Sequence, residues 1–308
     1  CSEIILRPYQ FCNLTEVVVR PTDTEKTLAK KIRLATILGT IQSTYTHLPY
    51  LRPVWRKNTE EERLLGVSLT GIMDNEITSK PTKELLNSLR SVAIQTNSET
   101  SERLGINPSA AITCVKPSGT VSQLVDSASG IHARHSDYYI RTVRGDNKDP
   151  LTKFLTDSGI PAEACVMKPD STTVFSFPVK APDGAVTRND MSAIEQLELW
   201  KTYALNWCEH KPSVTITVRD EEWLKVGSWV YDNFDICSGV SFLPHSDHTY
   251  AQAPYQDCNE ETYKEALSKM PKSIDWTKLA SYEVEDNTAG SQTLACSGDS
   301  CEVVDINS

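Results

Sequence analysis

The sequence lacks the features of a secreted or membrane-bound chain. No apolar run approaches the roughly 18 residues that span a bilayer, and no charged-then-apolar start indicates a signal peptide. Basic charge is scarce, since 31 Lys and Arg stand against 41 Asp and Glu, a formal net charge of −10. Proteins that coat duplex nucleic acid are normally basic, so this balance argues against broad binding of a phosphate backbone but allows a single nucleotide in a locally basic pocket. We expect a cytoplasmic protein whose partners include neither a membrane nor duplex nucleic acid.

Cysteine is too sparse for a disulfide scaffold, because nine cysteines, an odd number, are spread over 308 residues. In a cytosol they should be reduced thiols unless they carry out redox or radical chemistry. The first residue is Cys1 rather than Met. We interpret the chain as a processed product, a fragment or the downstream half of a longer protein. Its composition, 39% apolar and 23% charged, is that of a globular protein with one large domain or two small ones.

Short apolar strands alternate with helical patterns, which indicates an α/β protein with parallel strands. The strands predicted to be parallel, about five in all, cover residues 16–20, 67–72, 110–115, 213–218 and 239–243. Helices are predicted after a capping box at residues 22–25 and over 81–103, 193–208 and 221–234.

Two other segments depart from this alternation. Residues 138–144 and 172–179 are β-rich and are predicted as strands of a hairpin-bearing insertion. From Val284 onward Gly, Ser, Asn and Asp dominate and periodicity vanishes, which predicts a flexible tail.

The first candidate site combines Cys1, Glu3 and Cys12. In an extended segment, side chains two residues apart lie on one side, so the thiol of Cys1 and the carboxylate of Glu3 can work together. Such a pair suits acid–base work beside sulfur chemistry. The alternative is a frayed terminus with a solvated carboxylate.

The second candidate site is the loop that follows the strand at 110–115. Glycine permits close backbone approach, and hydroxyls with free amides make an anion cradle, although the loop lacks the spacing of a Walker A motif. A structural turn explains this segment equally well. The candidate phosphate-binding residues are Pro117, Ser118, Gly119, Thr120, Val121 and Ser122.

The third candidate is a dithiol in the tail. Four residues separate Cys296 from Cys301 in a Gly/Ser-rich stretch without a second ligand pair for zinc. A shuttling redox pair is favoured over unreactive cysteines, because thiol exchange needs exposed and movable sulfurs. The histidine pairs 132/135 and 245/248 lack a clear third ligand, so no metal site is predicted.

Taken in order, these motifs resemble the C-terminal part of adenosylcobalamin-dependent (class II) ribonucleotide reductases of the monomeric, triphosphate-reducing type. The family's finger loop reads Asn-Pro-Cys-x-Glu and is matched from its cysteine by Cys1-Ser2-Glu3, while Cys12 matches a second redox cysteine. The spacing of Cys296 and Cys301 is that of the family's tail. Similar segments extend the resemblance over essentially the whole chain and comprise 115–120, 129–132, 138–141, 176–182, 239–244 and 252–255.

The resemblance implies an architecture. We expect the second half of a ten-stranded α/β barrel, with about five parallel strands and a flexible C-terminal redox tail. Residues 1–22 would form the remnant of the finger loop and the first strand. Residues 23–255 would form the half-barrel with cobalamin- and substrate-binding insertions, and 256–308 the C-terminal helix and dithiol tail.

The resemblance also implies a chemistry. Adenosylcobalamin would initiate a thiyl radical on Cys1, which abstracts the ribose 3′-hydrogen while Glu3 takes the 3′-hydroxyl proton. Loss of the 2′-hydroxyl as water would be coupled to oxidation of Cys12 with a partner thiol. Cys296 and Cys301 would reduce that disulfide and be reduced by thioredoxin. The substrate would be a nucleoside triphosphate held at residues 117–122.

Some family features are missing from the sequence. The Asn and Pro before Cys1, the thiol that pairs with the Cys12 equivalent and the first half-barrel are absent. We therefore expect the chain to be inactive without an N-terminal half. Two alternatives remain: a large-subunit fragment of a reductase class without cobalamin, or a non-catalytic thioredoxin-interacting fragment.

Overall fold

A computed structural model describes residues 3–245 and 250–284. Within them the chain divides into two compact units. The first unit runs to Arg134 and resumes over Pro182–His245, and the second takes His135–Ala181 with the described residues after 249. No helix in these described ranges is both long and apolar enough to cross a membrane.

Strands and helices alternate along the described chain. The strands are β1 Asn13–Val18, β2 Leu65–Thr70, β3 Thr113–Cys114, β4 Tyr138–Asp146, β5 Ala162–Ala164, β6 Thr172–Lys180, β7 Val214–Val218, β8 Val240–Pro244 and β9 Tyr255–Asp257. The α-helices are α1 Glu25–Gln42, α2 Pro53–Glu62, α3 Glu76–Ser79, α4 Lys83–Leu104, α5 Val121–Leu124, α6 Pro150–Asp157, α7 Ala193–Asn206, α8 Trp223–Asp232 and α9 Glu260–Ser268.

The first unit contains five parallel strands, at the places where the sequence predicted them. β1, β2 and β3 form one parallel sheet in that order, and β7 pairs with β8 in a second parallel sheet. A parallel bridge between Val115 and Pro212 joins the end of β3 to the segment that enters β7. Strand β2 begins two residues earlier than predicted, because Arg63 adopts a left-handed conformation (φ 44°) that ends α2 and turns the chain into the strand.

The two faces of β2 differ in chemistry although both are buried. Leu65, Val67 and Leu69 are fully buried in the hydrophobic core, which they share with apolar residues of α1, α4 and α7. Because side chains alternate along a strand, Gly66, Ser68 and Thr70 lie on the opposite face. That second face, called here the polar face, also includes Glu16 of β1 and Cys114 of β3, which occupy the matching register positions.

Helix α1 begins differently from the prediction. The capping box expected at residues 22–25 lies two residues later, with Thr24 as the N-cap. The Thr24 hydroxyl accepts the Thr27 N–H, and the Thr27 hydroxyl accepts the Thr24 N–H at 2.9 Å. The Asp23 carboxylate lies before the helix, where it accepts the Arg20 N–H and forms an ion pair with Lys31. Two reciprocal hydroxyls therefore satisfy amides that a Thr–Glu pair was expected to satisfy.

We expect Thr24→Ala to lower the free energy of unfolding by about 1 kcal/mol, the usual cost of losing an N-cap. Thr22→Ala, which removes an exposed hydroxyl two residues earlier, should leave it unchanged. Urea unfolding followed by far-UV circular dichroism measures both. A larger loss of unfolding free energy in Thr22→Ala than in Thr24→Ala would show that residue 22 is the N-cap, as predicted from the sequence.

The second unit is built on an antiparallel sheet of order β5-β6-β4-β9. β4 and β6 pair along their whole length, from Tyr138 opposite Lys180 to Asp146 opposite Thr172. This antiparallel pairing confirms the two strands predicted for the insertion. Phe154 of α6 is buried against the rings of Trp276 and Tyr282.

Candidate active site

Glu3 lies buried in the first unit, with 6% of its surface exposed. Its carbonyl accepts the Lys211 N–H at 3.0 Å, which fixes the N-terminal segment beside the entrance to β7. Its carboxylate oxygen Oε2 is buried and has no hydrogen-bond partner among the described residues. Since buried polar atoms are nearly always paired, this oxygen marks a place where a ligand hydroxyl or amide can bind.

Cys12, the residue before β1, is half-buried near Glu3. Burial and then the negative charge of Glu3 raise the pKa of the Cys12 thiol, while the positive charge of Lys116 opposes them. A thiol with a raised pKa keeps its proton near neutral pH, so Cys12 can supply both a proton and an electron to a bound molecule. The structure therefore brings together two of the three residues of the first sequence motif.

Cys114 belongs to the same cluster, although the sequence motifs did not include it. Cys114 is fully buried, and burial followed by the charge of Glu3 raises its thiol pKa well above the ordinary value. Cys12 and Glu16 act on Cys114 in the same direction. Glu3, Cys12, Glu16 and Cys114 thus share one electrostatic neighbourhood on the polar face. No local signal indicated Cys114, because apolar residues occupy both parities of the alternation within residues 110–115.

The loop after β3 adjoins this cluster. The Lys116 N–H donates to the Ser68 hydroxyl at 2.8 Å, which anchors the start of the loop to the polar face of β2. The Ser118 hydroxyl accepts the Ser122 N–H at 3.1 Å, and the Ser118 carbonyl accepts the Ser122 and Ser129 hydroxyls. Ser118 and Ser122 are buried, whereas Gly119 is exposed.

The exposed part of the candidate phosphate loop is its middle. Gly119, Thr120 and Val121 face solvent, and Pro117 lies buried with the two serines. The serines therefore hold the shape of the loop from behind, and residues 119–121 form the surface open to a ligand.

The segment that follows the loop folds back onto β2. Gly130 donates its N–H to the Thr70 hydroxyl at 2.9 Å, and that hydroxyl donates to the Ala128 carbonyl at 3.0 Å. Gly130 has a φ of +56°, and a Cβ at this position would lie 2.5 Å from the Lys116 carbonyl oxygen. Only glycine combines this conformation with this close approach.

Arg134 ends that segment in a buried ion pair. Its Nε and Nη2 donate to the two carboxylate oxygens of Asp74 at 2.8 and 2.9 Å, and its Nη1 donates to Asp126 at 3.0 Å. Asp74 also accepts the Ala128 N–H. The bidentate pair locks the return of residues 126–134 onto the end of β2.

The remaining candidate residues either lie outside the described residues or have partners within the fold. Cys1 and the tail dithiol, Cys296 and Cys301, lie outside the described residues. His132 is engaged at both ring nitrogens, by the Ser129 carbonyl at 2.9 Å and by the Thr215 N–H at 3.0 Å. Over the described ranges no group of three or more His, Cys, Asp or Glu is arranged to hold a metal ion.

Comparison with solved structures gives the class of protein that this fold and site define. A crystal structure of a B12-dependent (class II) ribonucleotide reductase superposes with a TM-score of 0.78 at 26% sequence identity. The match covers 92% of this chain and 44% of that protein. The parallel strands and the thiol–carboxylate cluster therefore occur in a chain with the fold of class II reductases.

Comparison of the sequence with curated proteins shows similarity to particular enzymes. The chain is 30% identical to the adenosylcobalamin-dependent ribonucleoside-triphosphate reductase of Euglena gracilis and 27% identical to that of Lactobacillus leichmannii, over 98% of its length in both cases. It spans 41% and 45% of the length of these two relatives. No protein-family model matches the chain. The resemblance drawn from the sequence motifs is confirmed over almost the whole chain.

Replacing Glu3 should change the chemistry of Cys12. We expect Glu3→Gln to lower the pKa of the Cys12 thiol, since it removes a negative charge that disfavours the thiolate. Lys116→Met should raise it, because a positive charge is lost. The measurement is the pH dependence of Cys12 alkylation by iodoacetamide, read by peptide mass spectrometry. Shifts of the same sign in both variants would show that the charges do not act as the structure indicates.

Gly130→Ala should destabilise the protein by about 3 kcal/mol or more, because a left-handed alanine costs about 1–2 kcal/mol and the Lys116 carbonyl must also move. The matched control is Gly105→Ala, which has φ +66° but no described atom within 4 Å of the added Cβ, and it should lose only the first part. Denaturant midpoints of the two variants measure the difference. Equal losses would mean that the close approach to Lys116 is unimportant.

Proposed function

We propose that the chain is the part of an adenosylcobalamin-dependent ribonucleoside-triphosphate reductase that carries the radical thiol, the general base and the phosphate loop. The observation that carries this proposal is the unpaired, buried Oε2 of Glu3 beside Cys12 on the polar face. The names of the relatives and of the superposed structure support the same activity.

In this proposal three side chains act on the ribose. Cys1, as a thiyl radical, takes the 3′-hydrogen atom, and Glu3 accepts the proton of the 3′-hydroxyl through its free oxygen. The 2′-hydroxyl leaves as water after protonation. Cys12 and a partner thiol in the upstream half lose one hydrogen each and form a disulfide, which supplies the two electrons. The 3′-hydrogen then returns to the sugar from Cys1, so that the thiyl radical is regenerated.

The protonation state of the Cys12 thiol suits the radical chemistry of the proposed cofactor. Adenosylcobalamin, when bound, supplies the radical equivalent that starts the chemistry. Only a protonated thiol has a hydrogen atom to give, and burial with Glu3 nearby keeps Cys12 in that form. The chain's part is to hold hydrogen on sulfur and to exclude water.

The phosphate end of the substrate is proposed to bind at residues 117–122. Gly119, Thr120 and Val121 offer exposed backbone to an anion, and the buried serines keep them in place. The adjacent Lys116 supplies positive charge. The preference for triphosphates follows the relatives' names.

The rest of the assembly follows the resemblance. We propose that the five parallel strands are half of a ten-stranded barrel that an upstream segment completes. Residues 1–22 would be the finger-loop remnant and first strand, 23–255 the half-barrel with cobalamin- and substrate-binding insertions, and 256–308 the C-terminal helix and dithiol tail. Cys296 and Cys301 would carry electrons from thioredoxin to the Cys12 disulfide in a cytoplasmic enzyme. A flexible tail would let them shuttle.

Reduction assays test the proposal. The purified 308-residue chain with adenosylcobalamin, a nucleoside triphosphate and dithiothreitol should give no turnover, and a co-expressed upstream segment should restore it. In the restored enzyme Cys1→Ser should abolish turnover with any reductant. Cys296→Ser should abolish thioredoxin-driven turnover yet preserve turnover with dithiothreitol. Turnover by Cys1→Ser would refute the radical role, and equal loss with both reductants in Cys296→Ser would refute the shuttle.

A further inference from the structure

The hydrogen-bond ladder between β2 and β3 is irregular where β2 begins. The two strands pair in parallel register with Val67 opposite Thr113. Continued two residues back along both strands, this register would bring the Ile112 N–H to the Leu65 carbonyl. The Leu65 N–H donates instead to the Ala111 carbonyl at 3.1 Å, which shifts the pairing by one residue. The Ile112 N–H and the Leu65 carbonyl therefore need partners from elsewhere.

Two consecutive side chains from the segment between α7 and β7 supply these partners. The Glu209 carboxylate accepts the Ile112 N–H at 2.9 Å, and Nε2 of the His210 ring lies 2.6 Å from the Leu65 carbonyl oxygen. A carbonyl oxygen only accepts, so Nε2 carries the hydrogen and donates it. The N–H groups of Glu209 and His210 both donate to the Thr113 carbonyl, at 3.1 and 3.0 Å. The two residues thus close the gap in the ladder.

The next residue in this segment holds the proposed general base. The Lys211 N–H donates to the Glu3 carbonyl at 3.0 Å. On the other side Ile4 packs over Gly66, where an added Cβ would lie 2.7 Å from the Ile4 Cδ1. Gly66 directly follows Leu65 in β2. The N-terminal segment therefore rests on the same end of β2 to which the histidine ring is attached.

We propose that His210 is a positioning residue for Glu3. By donating to the Leu65 carbonyl, its ring fixes the segment from which the Lys211 N–H holds the Glu3 backbone. It thereby sets the direction in which the Glu3 carboxylate meets the ribose. The inference rests on the proposed function, since it takes Glu3 to be the general base. It adds a residue from the segment before β7 that acts on the reaction through the backbone of Glu3.

Two amide substitutions isolate the hydrogen bond of the ring. His210→Gln keeps a terminal N–H₂ group near the place of Nε2, so it can still donate to the Leu65 carbonyl. His210→Asn carries the same amide on a side chain one carbon shorter, which falls short of that carbonyl. Both variants are neutral and polar, so the second differs from the first mainly in the loss of one hydrogen bond.

The first measurement is the pH dependence of Cys12 alkylation by iodoacetamide in the purified chain. Burial and then the charge of Glu3 raise the pKa of the Cys12 thiol, so a displaced Glu3 should lower it. We expect His210→Asn to shift the alkylation profile to lower pH, in the same direction as Glu3→Gln. His210→Gln should keep the wild-type profile. Far-UV circular dichroism identifies the folded variants.

The second measurement is nucleoside-triphosphate reduction by the enzyme restored with its upstream segment. We expect His210→Asn to lower kcat on the order of a hundredfold with KM nearly unchanged, because a base displaced by about 1 Å loses its alignment with the reacting hydroxyl. His210→Gln should recover most of the wild-type kcat.

Several outcomes would overturn the proposal. A wild-type Cys12 profile in His210→Asn beside a shifted profile in Glu3→Gln would overturn the positioning role and leave the proposed function intact. Equal losses of kcat in His210→Asn and His210→Gln would overturn the role of the hydrogen bond to Leu65. Unfolding of His210→Asn would show that this bond serves the fold as a whole, which also overturns the proposal. Absence of turnover in the restored wild-type enzyme would overturn the proposed function, whereas the alkylation profiles would still decide whether His210 places Glu3.

Discussion

Strand β2 is buried on both faces, so the side chains of each face must find partners inside the protein. The packing of the first unit depends on those partners. One face must be apolar to join the helices in a core, and the other must be polar without leaving unpaired groups. Ser68 accepts the Lys116 N–H, and Thr70 accepts from Gly130 while donating to Ala128. Each hydroxyl of the polar face thus holds a backbone segment on the carboxyl side of the strands. Gly66 brings no side chain, and Ile4 and Leu14 pack over it.

The loop and the returning segment 126–134 are fixed by the same means. Part of their backbone has no backbone partner, and side chains supply partners for those groups. Asp74 meets this need by accepting the Ala128 N–H and pairing with Arg134, which is itself 4% exposed. Removing one partner from such a buried pair costs about 3–5 kcal/mol, because the other charge is left uncompensated. The position of Ser129 against Ser118 is therefore supported by an ion pair that touches neither residue.

The charges on the polar face favour protonated thiols. Burial raises the pKa values of Cys12, Cys114 and Glu16, the charge of Glu3 adds to that rise for the two thiols, and the charge of Lys116 opposes it in all three groups. A nucleophilic cysteine enzyme would need the reverse balance, with positive charge prevailing and a thiolate formed. Burial and this excess of negative charge suit hydrogen-atom and proton donation from sulfur.

Local patterns in the sequence determined the parallel strands, the antiparallel insertion and the residues Glu3 and Cys12, because alternation, turn chemistry and short spacings are properties of neighbouring residues. Only the tertiary structure shows that Glu16 and Cys114 belong to the polar face. Nothing near either residue indicates which face of its strand it occupies. The register of three strands from distant parts of the chain sets both beside Ser68. The ion pair of Arg134 with Asp74 is likewise decided by the tertiary structure, since the two residues lie 60 apart in sequence and meet only once the chain has folded back on β2.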